Sequence, residues 1–363
     1  MLRKRARSLG IPCGYLNTGK NNAITDVPGV KVGHYTLSGE GINTGVTAIL
    51  PHDGNLFQEK VVAATHVLNG FGKSIGLTQI NELGQLETPI LLTSTLSAPK
   101  AADALISWML LQDDSITSLN PVVGECNDSY LNDIRGRHVQ AEHVFAALDN
   151  ACDGAVQEGD VGGGTGMAAF GFKGGIGTAS RVLVDSMEPY TIGVLVMANF
   201  GTTKELLMAG IPVGRLIIEE QKKQSDLSTS RLSDGSIMMI LATDAPLSHR
   251  QLQRVAKRCA LGLARTGSVA SHGSGDFIIA FQTADRINAK RDTQKTTRIV
   301  ERLYEDGALL TPLFEAAVEA SEEAIYNAIC MANTRFGLNG HVRYALPLEL
   351  TLEILRQHNR LIV

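Results

Sequence analysis

Two short runs of uninterrupted apolar residues stand out in the second half of the chain. Residues 194–198 read VLVMA and residues 237–242 read IMMILA. Runs of four to eight apolar residues bounded by turn residues are typical of strands that are buried on both faces. We therefore predict strands over 191–197, 237–242 and 277–282. The apolar runs are far too short to cross a bilayer, so no membrane-spanning segment is expected.

Helical periodicity alternates with these strands. Ser248, with Gln251 three residues later, forms a capping-box pattern at the start of one predicted helix. Strands and helices are therefore mixed in both halves of the chain, and glycine-rich strands are expected in the first half. The predicted helices cover 97–111, 137–152, 249–263 and a segment that begins at Thr311-Pro312 and ends near Met331.

One polar segment interrupts this pattern. In residues 219–235, EEQKKQSDLSTSRLSDG, the apolar side chains are Leu227 and Leu232. This composition predicts a solvated, flexible linker. The linker ends where the apolar run 237–242 begins, so Ser236 is predicted to lie at the very start of a core strand.

The overall composition is that of a globular protein with a substantial core. The chain has 363 residues, of which 44% are hydrophobic and 19% are charged. Its net charge of −4 argues against a general nucleic-acid-binding protein, which usually carries a basic excess. The basic N-terminal segment is followed by no apolar stretch, so we expect no signal peptide and a cytoplasmic protein.

No pattern in the sequence predicts a metal or an organic cofactor. The five cysteines form no CxxC pair, and His138 and His143 are five residues apart, whereas a helical metal pair needs a spacing of four. The glycine-rich segment 159–180 matches neither a P-loop nor a dinucleotide-binding fingerprint. We interpret it as two strands with glycine at turns and at a crowded site.

Gly235-Ser236, at the junction of the linker and the core strand, is suited to self-cleavage. A serine hydroxyl is a weak nucleophile that needs an adjacent base. If the bond before Ser236 is cut, the new α-amine can be that base, since its reference pKa of about 7.7–8.0 lies near neutral pH. Gly235 has no side chain to obstruct attack on its carbonyl. A Gly-Ser pair before a strand is common, however, so the pattern alone favours an ordinary strand start.

A series of motifs changes this interpretation. Taken together, the chain resembles the self-processing serine aminopeptidases, the L-aminopeptidase/D-esterase and β-peptidyl aminopeptidase (DmpA-like) family, nearly from end to end. The motifs are 24–34 (ITDVPGVKVGH), 122–128 (VVGECND), 159–167 (GDVGGGTGM), 241–247 (LATDAPL), 262–268 (GLARTGS), 273–276 (GSGD) and 332–333 (AN).

The resemblance implies a fold and a processing event. The family fold is an α+β, four-layer αββα sandwich that resembles the N-terminal-nucleophile hydrolases with different connectivity. The expected precursor is a single catalytic domain over 1–363 that cuts itself into an α subunit, 1–235, and a β subunit, 236–363. The resemblance also implies self-association of αβ units into a tetramer and no metal or organic cofactor.

The resemblance places the site residues one at a time. Ser236 matches the nucleophile, Asn199 the oxyanion-stabilising amide and Tyr130 a tyrosine near the acyl site. Ser274 and Asp276 match a serine and an acid that orient the nucleophile. The family acid can be Glu, so Asp276 has a shorter reach.

Glu125 is a candidate for binding the free ammonium group of a substrate, because an aminopeptidase needs an anion there. Expected substrates are short peptides, amino-acid amides or esters, including β-peptides. The preference for α- or β-amino acids, and for L or D, stays open.

Two alternatives remain at this stage. Ornithine acetyltransferases and nylon-oligomer amidases are self-cleaving enzymes of the same architecture, but both use Thr where this chain has Ser236. The other alternative is an unprocessed binding homologue in which Gly235-Ser236 is never cleaved.

Overall fold

The computed structural model describes residues 2–184, 189–224, 235–289, 295–305 and 307–362. Most of the predicted linker therefore lies outside the described residues. The strands are β1 (Lys31–Gly39), β2 (Ile42–Leu50), β3 (Glu59–Gly70), β4 (Gln85–Leu86), β5 (Ile90–Ser94), β6 (Val122–Cys126), β7 (Ala168–Ala169), β8 (Phe172–Lys173), β9 (Gly175–Leu183), β10 (Tyr190–Asn199), β11 (Ser236–Thr243), β12 (Gly275–Asn288), β13 (Arg335–Phe336) and β14 (Val342–Arg343). The α-helices are α1 (Leu77–Leu83), α2 (Ala98–Gln112), α3 (Ala141–Asp149), α4 (Val213–Gln224), α5 (His249–Arg265), α6 (Leu310–Cys330) and α7 (Leu348–Gln357).

Two sheets form the centre of the molecule. The larger has six strands in the order β4-β3-β12-β11-β10-β9, and the smaller has four in the order β1-β2-β5-β6. Helices α5 and α6 cover the outer face of the larger sheet, and α2 and α3 cover the outer face of the smaller one. The architecture is therefore the expected four-layer αββα sandwich.

Three apolar clusters fill the spaces between these layers, and strand β11 shows how they are divided. Its residues Ile237, Met239 and Leu241 pack towards the helices, whereas Met238 and Ile240 pack between the two sheets. Successive side chains of a strand point to opposite faces, so a strand that is buried on both sides reads as a continuous apolar run. This explains why the run 237–242 predicted the strand correctly.

The predicted helices and strands are present, with several changes in their boundaries. The prediction that 219–224 belongs to a linker is wrong, because these residues form the last turns of α4. Glu219, Gln221 and Lys222 are exposed on a helix whose apolar side, including Val213 and Ile217, joins the core. Residues 225–234 of the predicted linker lie outside the described residues.

Backbone conformation explains two further differences. The helix predicted over 137–152 begins only at Ala141, because Arg137 adopts a left-handed conformation with φ of 47°. Helix α6 begins at Leu310, which puts Pro312 at the third position, still within the first turn where the backbone N–H has no partner in the helix. The capping box of Ser248 and Gln251 is confirmed at the start of α5.

Strand β12 is longer than the predicted 277–282. Its last six residues alternate between half-buried and exposed positions. The pairing of β12 with β3 shifts in register between Phe281 and Arg286 and then continues to Asn288. That extension is polar, so hydrophobicity alone could not reveal it. Among the helices of the described residues, none combines the length and apolar character needed to cross a membrane.

A buried ionic cluster joins α6 to β9. Arg181 is fully buried, and its guanidinium contacts Glu319 Oε2 at 2.8 Å and Glu323 Oε2 at 2.8 Å. Arg7 approaches the same Glu323 carboxylate at 2.9 Å. Removing one member of a buried ion pair is costly because it leaves an uncompensated charge in a low-dielectric environment.

We expect Arg181→Met to destabilise the protein by roughly 3–5 kcal/mol, since it leaves two buried carboxylates without their shared cation. Chemical denaturation at neutral pH would measure the change. Arg250→Met is the matched control, because Arg250 is exposed and pairs with Glu305 on the surface, where such a pair contributes about 0–1 kcal/mol. Equal destabilisation by the two substitutions would contradict the expected role of the buried cluster.

Candidate active site

Ser236 is the first residue of β11, and the two strands beside it carry the functional candidates Asn199 and Asp276. In the antiparallel pairing with β10 it lies opposite Asn199, and in the parallel pairing with β12 it lies opposite Gly275. Ser236 shares a strand face with Met238, which packs between the two sheets. The serine side chain therefore points into the inter-sheet space, at the end of the larger sheet.

A cavity of about 200 Å³ opens at this point. The two residues of the proposed scissile bond, Gly235 and Ser236, are part of its wall. Five of the seven residues selected from the sequence line it, namely Glu125, Tyr130, Asn199, Gly235 and Ser236. The other two, Ser274 and Asp276, are buried beside the cavity and do not form its wall.

Ser274 and Asp276 form a hydrogen-bonded pair next to Ser236. Ser274 Oγ donates to Asp276 Oδ1 at 2.6 Å, so the shorter Asp does reach its partner. The backbone N–H of Gly275, between them in sequence, donates to Ser236 Oγ at 3.2 Å. Burial raises the pKa of Asp276 to about 6, although hydrogen bonds from Ser274 and from the Ile237 backbone oppose the increase.

The side-chain amide of Asn199 is fixed by two backbone contacts. Its Nδ2 donates to the carbonyl of Asn127 at 2.9 Å, and its Oδ1 accepts from the N–H of Ala168 at 2.8 Å. An amide NH₂ has two hydrogens, and the contact with Asn127 uses one. These contacts determine which end of the amide is the donor, which matters for any interaction with a developing negative charge.

Glu125 places a buried carboxylate at the cavity. Its Oε1 accepts from the backbone N–H of Lys73 at 2.8 Å, and its Oε2 accepts from the Thr95 hydroxyl. The side chain is 3% exposed. A buried carboxylate held by two donors is a suitable partner for an ammonium group.

Gly235 is constrained by its neighbours. A Cβ atom at this position would lie 2.1 Å from the carbonyl oxygen of Asn199 and 2.6 Å from Cα of Phe200. Both are backbone atoms, so they cannot move aside as a flexible side chain could. The close approach of residue 235 to β10 therefore requires glycine.

Another part of the cavity wall is aromatic and cationic. The Tyr130 ring stacks on His341 with centroids 4.4 Å apart, and the Arg343 guanidinium lies 3.6 Å from the centroid of the Tyr130 ring. Burial lowers the pKa of Arg343, and Tyr130 partly offsets this effect. Arginine nevertheless stays protonated at neutral pH.

The donor set at the cavity offers no metal site. Across the described ranges, no group of three or more His, Cys, Asp or Glu side chains could hold a metal ion. The chemistry that the wall does offer is several hydroxyls, two side-chain amides, backbone N–H groups, the carboxyl group of Glu125 and two cations, Lys73 and Arg343.

The model of peptidase family S58 matches residues 22–343. The chain belongs to this family.

Relatives of this S58 chain are similar over nearly their whole length. The beta-peptidyl aminopeptidase BapA of Sphingosinicella microcystinivorans is 42% identical, over 98% of this chain and 93% of the relative. A solved beta-aminopeptidase from a Burkholderia species is 42% identical with a TM-score of 0.89, over 98% of this chain and 99% of that chain.

A second solved structure supports the fold assignment of the S58 chain. The L-aminopeptidase D-Ala-esterase/amidase of Ochrobactrum anthropi is 38% identical, with a TM-score of 0.88, over 98% of this chain and 99% of that chain. It is described as a prototype for the serine aminopeptidases and as a new variant among the Ntn hydrolase fold. The resemblance inferred from the motifs is therefore confirmed, and the S58 chain is a hydrolase of the aminopeptidase type.

Sequence reasoning missed several residues of the S58 site. Asn127 and Ala168 hold Asn199 through backbone atoms, and no side-chain pattern could reveal such contacts. Thr95 and Lys73 hold Glu125 from distant parts of the chain. Arg343 lies in a two-residue strand, where a single arginine carries no recognisable signal.

The raised pKa of Asp276 predicts a pH-dependent stability. The folded state binds the Asp276 proton more tightly than the unfolded chain, whose aspartate pKa is about 3.9. The stabilising effect of that proton is therefore fully present below about pH 4 and is lost as the pH rises through about 6. Asp276→Asn should remove this dependence.

The measurement is the free energy of unfolding between pH 4 and 7 of two chains, one with Asp276 and one with the Asp276→Asn substitution. Both chains carry Ser236→Ala, so that no hydroxyl chemistry at residue 236 complicates the comparison. The stability of the chain that keeps Asp276 should decline relative to that of the substituted chain across this interval. A difference that stays constant with pH would contradict the assignment.

Proposed function

We propose that this S58 chain is an N-terminal-serine aminopeptidase that cuts itself between Gly235 and Ser236. Cleavage of the single domain 1–363 would give an α subunit, 1–235, and a β subunit, 236–363. The observation that carries the proposal is the position of Ser236. It lies at the start of a central strand, between Asn199 and Gly275, on the wall of the cavity.

The self-cleavage step uses groups that already surround the bond. Ser236 Oγ attacks the Gly235 carbonyl, the C–N bond breaks, and the acyl group moves from nitrogen to oxygen while the hydroxyl proton passes to the leaving nitrogen of Ser236. Water then hydrolyses the ester, which leaves a carboxylate on Gly235 and a free α-amine on Ser236. Gly235 has no side chain of its own to obstruct attack on its carbonyl. Asn199 can donate to the oxyanion that forms in this step.

Peptide hydrolysis repeats the same chemistry on a substrate. The α-amine of Ser236 accepts the proton of its own Oγ, and Oγ attacks the carbonyl of the first residue. Asn199 stabilises the oxyanion, the leaving amine takes a proton, and water releases the acyl group from Ser236. Ser274 and Asp276 orient the nucleophile through the segment that carries the Gly275 N–H.

Glu125 would bind the substrate's ammonium group, and Tyr130 would lie beside the acyl group. Suitable substrates are short peptides, amino-acid amides or esters, and β-peptides are included because curated relatives carry the name beta-peptidyl aminopeptidase. The proposal needs no metal or organic cofactor. The proposal also includes the assembly of αβ units into tetramers.

Ser236→Ala should abolish both cleavage and turnover, because the substituted side chain has no oxygen nucleophile. Intact mass and N-terminal sequencing should show one 363-residue chain for the variant, whereas the unsubstituted protein should give a second chain that begins Ser-Ile-Met-Met-Ile. Release of p-nitroaniline from amino-acid anilides would report activity.

Ser107→Ala, on the exposed side of α2, is the control and should be processed normally. A processed and active Ser236→Ala protein would overturn the proposal. Acetyl transfer from acetylornithine without anilide hydrolysis would favour the acetyltransferase alternative.

Glu125→Gln should raise KM for substrates with a free amine by about tenfold or more, with a smaller effect on kcat. The substitution keeps the side-chain shape and can still hydrogen-bond Lys73 and Thr95, but it removes the charge that a substrate ammonium needs. A charge-assisted pair of this kind contributes roughly 1.5–3 kcal/mol.

Steady-state kinetics on alanine p-nitroanilide, with Glu353→Gln on the surface of α7 as the control, would measure the effect. An unchanged KM for the Glu125→Gln enzyme would exclude Glu125 from ammonium binding.

A further inference from the structure

A second, larger cavity adjoins the catalytic one. Its volume is about 810 Å³, and it lies between α4 and the segment 342–350. The two cavities share three lining residues, Tyr130, Gly171 and Arg343. Arg343 is therefore at the place where the two spaces meet.

The sizes of the cavities suggest how a peptide divides between them. Pockets that enclose whole small-molecule ligands usually measure about 300–1,000 Å³. The catalytic cavity, at about 200 Å³, is smaller than this range, whereas the second cavity falls within it. A substrate whose first residue occupies the catalytic cavity would extend its leaving group towards the second one.

The charges in the second cavity favour an anion. Among the described residues that line it, the charged side chains are the cations Arg3, Lys222 and Arg343 and the single acid Glu349. Glu125 lines only the catalytic cavity. The catalytic cavity also carries the cations Lys73 and Arg343. The outer space therefore has three cations against one acid, and the inner space has two cations against one acid.

Arg343 is held rigidly in position. Its strand, β14, pairs with β13, where Arg335 lies opposite Arg343 and contacts Asp160 Oδ2 at 2.7 Å. On the other side, the Lys173 backbone N–H donates to the carbonyl of Tyr344 at 2.8 Å. The Arg343 guanidinium lies over the Tyr130 ring, with Cζ 3.6 Å from the ring centroid. Carboxylate binding uses the N–H groups of a guanidinium, so the two interactions are compatible.

We propose that Arg343 binds the C-terminal carboxylate of short peptide substrates on the leaving-group side of Ser236. The inference rests on the proposed function and narrows its substrate class to zwitterionic dipeptides and tripeptides. Glu125 would bind the ammonium end of such a substrate. Arg343 would bind the carboxylate of a dipeptide, and the cations further out would meet the carboxylate of a slightly longer peptide.

The first test compares each dipeptide with its own C-terminal amide. The probes are L-alanyl-L-alanine and β-alanyl-L-alanine, each in free and amidated form, and the readout is the ratio of the two kcat/KM values. The processed enzyme should prefer the free carboxylate by about tenfold to hundredfold, as expected for a charge-assisted pair. This comparison needs no variant, so it can overturn the inference even if a substituted chain does not fold.

The second test replaces the guanidinium. Arg343→Met should reduce the ratio to near one, and Arg343→Lys, which keeps the charge but loses the planar group, should give an intermediate ratio. Arg356→Met removes a cation from the exposed end of α7, away from both cavities, and should keep the unsubstituted ratio. Intact mass would confirm that each variant is processed.

The outcomes separate this inference from the proposed function. Equal rates on the free and amidated peptides by the unsubstituted enzyme would overturn the role of Arg343 and leave the aminopeptidase proposal intact. A ratio that survives Arg343→Met would also overturn it. An unsubstituted enzyme that hydrolyses neither probe nor any anilide would overturn the proposed function, and this inference with it.

Discussion

The pairing register of three adjacent strands is the constraint on which the candidate site depends. Asn199 on β10, Ser236 on β11 and Gly275 on β12 lie at the same level only because β10 and β11 pair antiparallel while β11 and β12 pair parallel in the observed registers. A slip of one residue would turn Ser236 away from the inter-sheet space. The apolar residues that follow Ser236 are buried on both faces of the sheet, so any such slip would also disrupt the core.

Buried charge has two different uses in this molecule. One use is the buried ionic cluster between α6 and β9, in which Arg181 pairs with Glu319 and Glu323. Each charged group in this cluster has a partner of opposite charge. Glu125 and Asp276 are also buried, but they are held by hydroxyl and backbone N–H donors and have no paired cation among the described residues. A buried carboxyl group without a cation partner is available to a substrate's ammonium or to a proton transfer.

The sequence allowed the core strands and the long helices to be predicted because their patterns are set by burial on one or both faces. It also allowed Ser236, Ser274, Asp276 and Asn199 to be selected, since the motifs indicate the family and each of these residues matches one of its site residues. The last turns of α4 and the end of β12 could not be predicted, because their side chains are polar and their conformation is stabilised by neighbours. Arg343 and Asn127 act through tertiary placement, which no local pattern encodes.

The uncut chain already contains the hydrogen bonds that the mature site would need. Gly275 N–H donates to Ser236 Oγ, Ser274 donates to Asp276, and Asn199 is held at both ends of its amide while residues 235 and 236 are still joined. The polar framework is therefore present while the bond between residues 235 and 236 is intact. What cleavage would add is charge, since it replaces a neutral peptide bond by an amine at Ser236 and a carboxylate at Gly235. On this view the same oxyanion donor can serve both reactions. If the chain is cut as proposed, the cut form differs from the uncut one by the base that becomes available at residue 236.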